Sequence, residues 1–155
     1  MLKYVNTDVV FQEIPDEVTL AINISNCPCR CPGCHSKYLW ADSGEALDAS
    51  SLDALIAEFG HEISCVAFMG GDAEPWGINL LAAYVKSAHQ PMKTAWYTGR
   101  TIISQHIDRA NFDYIKVGPY IRHLGPLNQP TTNQRLYRIT HPANELIDIT
   151  SRFWK

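Results

Sequence analysis

The feature that most constrains this chain is a crowded run of thiols at the end of a strand. The loop Cys27-Pro28-Cys29-Arg30-Cys31-Pro32-Gly33-Cys34-His35 holds four of the five cysteines. Directly before it, Val18, Leu20, Ile22 and Ile24 alternate with Thr19, Ala21, Asn23 and Ser25, the period-two pattern of a strand. Whatever the fold, it has to deliver a strand end into a loop of soft, reactive side chains. Thiols this close in sequence make no tidy disulfide framework, and their total is odd. They read as reduced thiols kept for metal.

The spacing Cys27-x3-Cys31-x2-Cys34 sets three thiolates around one loop. A cubane iron–sulfur cluster normally takes four protein ligands. Three ligands hold three irons and leave the fourth with an open coordination position. A fully ligated cluster mainly carries electrons, whereas an open iron is a place for chemistry, so the spacing points to an enzyme with Cys27, Cys31 and Cys34 as ligands. The competing reading is zinc, because Cys31-x2-Cys34 alone is zinc spacing and Cys29 or Cys65 completes four thiolates. Cys29 is expected to face away or lie at the loop surface. Cys65, inside an apolar run, reads as a buried small hydrophobe.

Along the rest of the chain, strand and helix patterns alternate. Leu52, Leu55, Ile56 and Phe59 fall at helical spacing, with Ser50 and Asp53 placed as a capping pair. Ile63 to Met69 is an apolar strand ended by Gly70-Gly71. Leu80, Leu81, Tyr84, Val85 and Ala88 make a second helical stripe. Thr94 to Tyr97 and Tyr114 to Val117 are short strands closed by Thr98-Gly99 and Gly118-Pro119, and Ile102 to Ile107 reads as the start of a helix. Arg135 to Ile139 and Leu146 to Ile149 read as strands without a place in the pattern. Alternation of this kind predicts an α/β fold with a mostly parallel sheet, and it puts the unusual residues at strand ends, where active sites of parallel sheets gather. A complete eight-stranded barrel takes about 250 residues, so this chain has room for about five or six βα units and for a partial barrel open along one side.

The 155 residues, 46% apolar and 19% charged, fit one domain (residues 1–155) with one core and argue against disorder. A net charge of −3 without a basic block argues against nucleic-acid binding as the main activity. No apolar run reaches bilayer length, and Met1-Leu2-Lys3-Tyr4-Val5-Asn6 has no apolar leader segment, so the expected compartment is the cytoplasm, with no membrane partner.

The cysteine loop followed by a strand ending in Gly70-Gly71-Asp72 resembles the radical S-adenosylmethionine (radical SAM) superfamily. Within it, the chain is similar to the activating proteins of anaerobic (class III) ribonucleoside-triphosphate reductases. The residues that carry the likeness are Cys31-Pro32-Gly33-Cys34-His35, Gly70-Gly71-Asp72, Trp96-Tyr97-Thr98-Gly99, Asp113 through Gly118-Pro119-Tyr120, and Asn133-Gln134-Arg135. In that order they span Val18 to Ile139. The chain departs from the common pattern in the extra thiol of Cys29, in Gln12 to Glu17 where a Gly-rich segment is usual, in Asp72 where Glu is commoner, and in the late proline of Ala73-Glu74-Pro75.

The resemblance implies a short, laterally open (βα) barrel of the radical SAM type and a defined reaction. A [4Fe–4S] cluster on Cys27, Cys31 and Cys34, reduced by flavodoxin or a similar donor, would bind SAM at its open iron and cleave it to methionine and a 5′-deoxyadenosyl radical. That radical would take a hydrogen from a backbone glycine of the partner reductase. No catalytic side chain is implied beyond the cluster and SAM. Pro32, Gly33, Cys34 and His35 would shape or border the adenine side, with His35 reading equally as a solvated loop residue. Gly70 and Gly71 would let SAM approach the backbone, and Asp72 would add to the environment of its ammonium; an ordinary tight turn is the plainer reading of the glycines. Thr98-Gly99-Arg100 reads equally as a ribose or carboxylate contact and as a turn with a surface Arg. His61, His89, His106, His123 and His141 lack metal-ligand spacing, and the four tryptophans read as core or core-edge aromatics. Two alternatives stand beside this reading: an activase for a pyruvate formate-lyase-like partner, whose chains tend to be longer, and a non-catalytic zinc module.

Overall fold

A computed structural model of the protein describes residues 1–34 and 36–154. Among these, eight strands form one open sheet: β1 (Lys3–Val10), β2 (Thr19–Ile24), β3 (Glu45–Ala46), β4 (Cys65–Met69), β5 (Lys93–Tyr97), β6 (Tyr114–Val117), β7 (Arg135–Ile139) and β8 (Leu146–Asp148). Their spatial order is β3-β1-β2-β4-β5-β6-β7-β8. The two α-helices are α1 (Ala49–Phe59), between β3 and β4, and α2 (Pro75–Ala88), between β4 and β5.

This corrects the expected partial (βα) barrel with a mostly parallel sheet. Only the three central pairings, β2–β4, β4–β5 and β5–β6, are parallel. The four outer pairings, β1–β2, β1–β3, β6–β7 and β7–β8, are antiparallel, so antiparallel ladders are the majority. The cause is the connections. A parallel pair needs a crossover of a dozen or more residues, usually helical. The segment from Phe11 to Val18 is too short for that and turns β1 back along β2. The stretch expected to be helical, Ile102 to Ile107, forms bends instead, with Ile102 left 79% exposed. With two helices rather than five or six, the sheet stays open.

The two sheet faces are built differently. Leu20, Ile22, Ile24, Val66, Phe68, Trp96, Ile115 and Val117 point to the face covered by Leu52 and Ile56 of α1 and by Ile78, Leu81 and Val85 of α2. Phe68 lies fully buried in this core, and truncating it to Ala is expected to cost about 3–5 kcal/mol. The opposite face carries the smaller set Cys65, Ala67, Ala95, Tyr114 and Leu136, covered by Ile14 and bordered by Tyr97, Ile149 and Phe153. The segment Gln12 to Glu17 therefore lies across this second face, and the Tyr97 hydroxyl donates to the Glu13 carbonyl. The cap of helix α1 lies two residues earlier than expected. Asp48 is the N-cap, its carboxylate accepting from Ser51 N–H at 2.9 Å while Ser51 Oγ accepts from Asp48 N–H at 2.9 Å.

Candidate metal centre

Because β2, β4 and β5 are parallel neighbours, their C-terminal ends lie side by side and feed three loops into one region. The first is the cysteine loop. Its entry is fixed by backbone bonds to the chain that follows it, Asn26 N–H to Ala41 O and Cys27 N–H to Leu39 O, both 3.0 Å. A turn closes it at the far side, Cys34 N–H to Cys31 O at 3.0 Å, with Gly33 at φ +77°, a conformation that favours glycine. The Arg30 guanidinium and the Lys37 ammonium sit 5.7 and 6.0 Å from the centre of the Trp40 ring, so cation–π contacts border both limbs of the loop.

Cys27, Cys29, Cys31 and Cys34 are all half-buried free thiols. Hydrogen bonding from the Cys29 thiol, together with the backbone N–H groups of Cys29 and Arg30, holds the Cys27 thiol well below its ordinary range. The same bond and burial push Cys29 up. Cys34 Sγ accepts from Ser36 N–H at 3.3 Å. The thiolate is the ligand form of cysteine, and hydrogen bonds to ligand sulfur tune iron–sulfur centres.

The second loop is Gly70-Gly71-Asp72. Both glycines have positive φ, +105° and +86°. At Gly71 a Cβ would stand 2.5 Å from Ile78 Cδ1, so close approach of α2 already requires glycine there. The Gly70 carbonyl accepts from the Trp96 indole N–H at 2.6 Å. Asp72 is buried, and both of its oxygens have partners. The Thr98 hydroxyl donates to Oδ1, while Gly99 N–H at 3.0 Å and the Cys29 thiol at 3.4 Å donate to Oδ2. The third loop, Thr98-Gly99-Arg100, is thus the turn that grips Asp72. A Cβ on Gly99 would lie 2.8 Å from Cys29 Sγ, so Gly99 is the seat on which Cys29 rests. Cys29 faces inward, against expectation, because the Asp72 carboxylate draws its thiol.

Of the anticipated site residues, the structure brings the cysteine loop, Gly70, Gly71 and Asp72 to one rim, and His35 lies outside the described residues. The donor atoms of Cys27, Cys29 and Asp72 lie within 4.8 Å of one another; no such group among the described residues includes Cys31 or Cys34. A single ion draws its ligands together, whereas thiolates on separate corners of a cubane stand apart. Three half-exposed thiols on one short loop, one held toward its anion and one accepting a backbone N–H, fit a cluster. Cys65 does not belong to this rim. It opens β4, fully buried, about 13 Å of strand away from the cysteine loop at about 3.3 Å per residue.

Sequence reasoning passed over Lys116. It is 7% exposed, donates to the carbonyls of Thr98 and Gly118 at 3.1 Å each, and stands 5.3 Å from the centre of the Tyr97 ring. Burial pushes its pKa down to about 8, against the opposing pull of Asp72, Cys31, Cys29 and Cys27. With Cys34, Tyr97, Tyr120, Leu127, Gln134 and Phe153 it lines a cavity of about 350 Å³. The signal was present: Lys116 is the one charged residue in the apolar strand Tyr114-Ile115-Lys116-Val117. The motif Asn133-Gln134-Arg135 also gains a role. Asn133 Nδ2 donates to Pro119 O at 3.0 Å and Gln134 Nε2 to Gly118 O at 3.4 Å, which pins the end of β6 beside the cavity.

A family model described as a 4Fe-4S single cluster domain matches residues 18–122, from the start of β2 to just past β6. The match includes the cysteine loop, Asp72, Thr98-Gly99 and Lys116. No curated protein and no solved structure matches the chain.

Proposed function

Since this chain belongs to the 4Fe-4S single cluster domain family, we propose that it is a radical SAM enzyme, an activase that installs a glycyl radical on an anaerobic ribonucleoside-triphosphate reductase. The observation that carries the reading is the pairing of the three-thiol loop with a cavity that begins at Cys34 and ends on a buried ammonium. Cys27, Cys31 and Cys34 would hold the cluster, which when bound supplies one electron, received from flavodoxin or a similar donor, to the sulfonium of SAM.

The chain's own residues do the rest by binding and exclusion. Lys116 offers a positive charge to the methionyl carboxylate, and its two carbonyl acceptors hold the ammonium in place. Pro32, Gly33 and Cys34 form the wall beside the nucleoside, with Gly33 packed toward Tyr120 and Arg122. Gly70 and Gly71 keep side chains out of the approach to the strand end, and Asp72 places negative charge beside the loop. Tyr97, Tyr120, Leu127 and Phe153 give the cavity an apolar lining against which the nucleoside and thioether of SAM can pack.

The test is anaerobic loading with iron and sulfide, reduction with dithionite, and measurement of 5′-deoxyadenosine formed from SAM. Formation by the native chain and its loss in Cys31→Ala are expected. A loaded chain that never cleaves SAM would end the enzyme reading. Electron paramagnetic resonance of a mixture with the reductase then reads the glycyl radical directly.

A further inference from the structure

Cys29 is not needed by a three-thiolate cluster, yet the fold takes trouble to place it. Its thiol points at Asp72 Oδ2, 3.4 Å away, and rests on Gly99, where any side chain would collide with it. Cys27 stands beside it, so that two sulfurs and a carboxylate oxygen lie within 4.8 Å of one another. The carboxylate is buried and held from behind by Thr98 and Gly99, and its remaining hydrogen bond comes from the Cys29 thiol.

We propose that Cys27, Cys29 and Asp72 form a second, mononuclear site for a thiophilic divalent cation such as Zn²⁺ or Fe²⁺. Two thiolates and one carboxylate oxygen, with one water, complete the four-coordinate tetrahedral set such ions take. The charges balance: two thiolates and a carboxylate give −3, the ion +2, and the nearby buried ammonium of Lys116 +1. Binding releases the Cys29 thiol proton to solvent, and the ion takes its place at Asp72 Oδ2, while Thr98 and Gly99 keep their bonds to the carboxylate. Because Cys27 is shared with the cluster triad, the ion and the cluster exclude each other. The site holds the loop's thiols in an ion-bound form until iron and sulfide arrive.

The test uses the full chain, stripped of metal and reduced under nitrogen, titrated with Co²⁺ while thiolate-to-cobalt absorption is followed. The expected result is one Co²⁺ per chain. Affinity falls about tenfold or more in Cys29→Ala and in Asp72→Asn, since even an outer partner of a metal ligand is worth about 10–100-fold, and it is unchanged in Cys31→Ala and Cys34→Ala. Because Asp72 is buried, Cys29→Ala carries the decision. Unchanged Co²⁺ affinity in Cys29→Ala, or equal loss in Cys31→Ala or Cys34→Ala, overturns the proposal. A second arm pre-loads Zn²⁺ before adding iron and sulfide. A lag in cluster formation in the native chain that vanishes in Cys29→Ala supports the shared ligand; the same lag in both contradicts it. A Cys29→Ala chain unable to take up iron and sulfide would make Cys29 a cluster ligand and likewise overturn the division.

Discussion

Two carboxylates, Glu17 and Asp72, sit at opposite ends of the parallel strands, and both are 7% exposed. Glu17 lies where the strands start. Its Oε1 accepts from Ser64 Oγ at 2.8 Å, and its Oε2 accepts from Lys93 Nζ at 2.9 Å and from the Tyr114 hydroxyl at 3.0 Å. Asp72 lies where the strands end. Its partners among the described residues are a hydroxyl, a backbone N–H and a thiol, with no cation among them. The nearest buried ammonium, Lys116, spends its bonds on two carbonyls instead. Equal burial thus conceals different electrostatics. At the strand starts the cation touches its carboxylate, whereas at the strand ends Lys116 and Asp72 attract each other without a hydrogen bond between them. Buried charge without a matched partner is costly to folding, which is why such arrangements mark functional sites.

The comparison breaks most readily at the thiols. Cys31→Ala or Cys34→Ala is expected to abolish cluster formation, taking iron from about four per chain, the content of a [4Fe–4S] centre, to near none. Glu17→Ala is expected to leave iron uptake intact in whatever fraction folds. Iron and sulfide analysis checks both, and a cluster that survives Cys31→Ala would dissolve the contrast between the two ends.

Lys116 sharpens it by pH. Its pKa is lowered from 10.5 to about 8, with burial the largest cause. Between those values the unfolded chain holds a proton that the folded chain has released, so stability rises with pH across that window. Below pH 8 the charged ammonium stays buried at full cost. In urea unfolding of the metal-free chain, the stability of the native protein relative to Lys116→Met is expected to climb by about 3 kcal/mol from pH 8 to 10.5. A flat difference would show that Lys116 is not desolvated as described.

Smaller effects belong to the other end. Glu17→Ala leaves Tyr114 and Ser64 without their acceptor and is expected to cost about 2 kcal/mol, discounted because the Lys93 side chain is 47% exposed. Tyr97→Phe removes the hydroxyl that ties the Gln12–Glu17 segment across the second face and is expected to cost about 1 kcal/mol. Both are read as shifts in urea midpoint at pH 7.

The central strands were legible because each is a short apolar run ended by glycine or cysteine, as in Ile63 to Gly71 and Tyr114 to Gly118. Strand β1 was not, because a register shift between Tyr4 and Asn6 breaks its period-two pattern: Tyr4 and Val9, an odd number of residues apart, both pack against the main core. Missing β1, and leaving β7 and β8 unplaced, is what made the sheet look mostly parallel. The cap of α1 was misplaced because Asp48-x2-Ser51 and Ser50-x2-Asp53 have the same spacing, and only the geometry selects the first. Leu80 belongs to the right helix but is 68% exposed, and Trp76, read as core or core-edge, is 51% exposed. The cysteine loop announced itself in sequence. The grip of Thr98 and Gly99 on Asp72 did not, since it joins residues far apart in the chain through the parallel register of β4 and β5.

On the proposed function, three thiols leave one iron open to SAM at this rim. This is tested most directly by the electron paramagnetic resonance spectrum of the reduced, cluster-loaded chain before and after SAM is added. The spectrum is expected to change in the native chain and in Cys29→Ala alike. A spectrum indifferent to SAM, or one that responds only when Cys29 is removed, would mean that no open iron exists in the native protein.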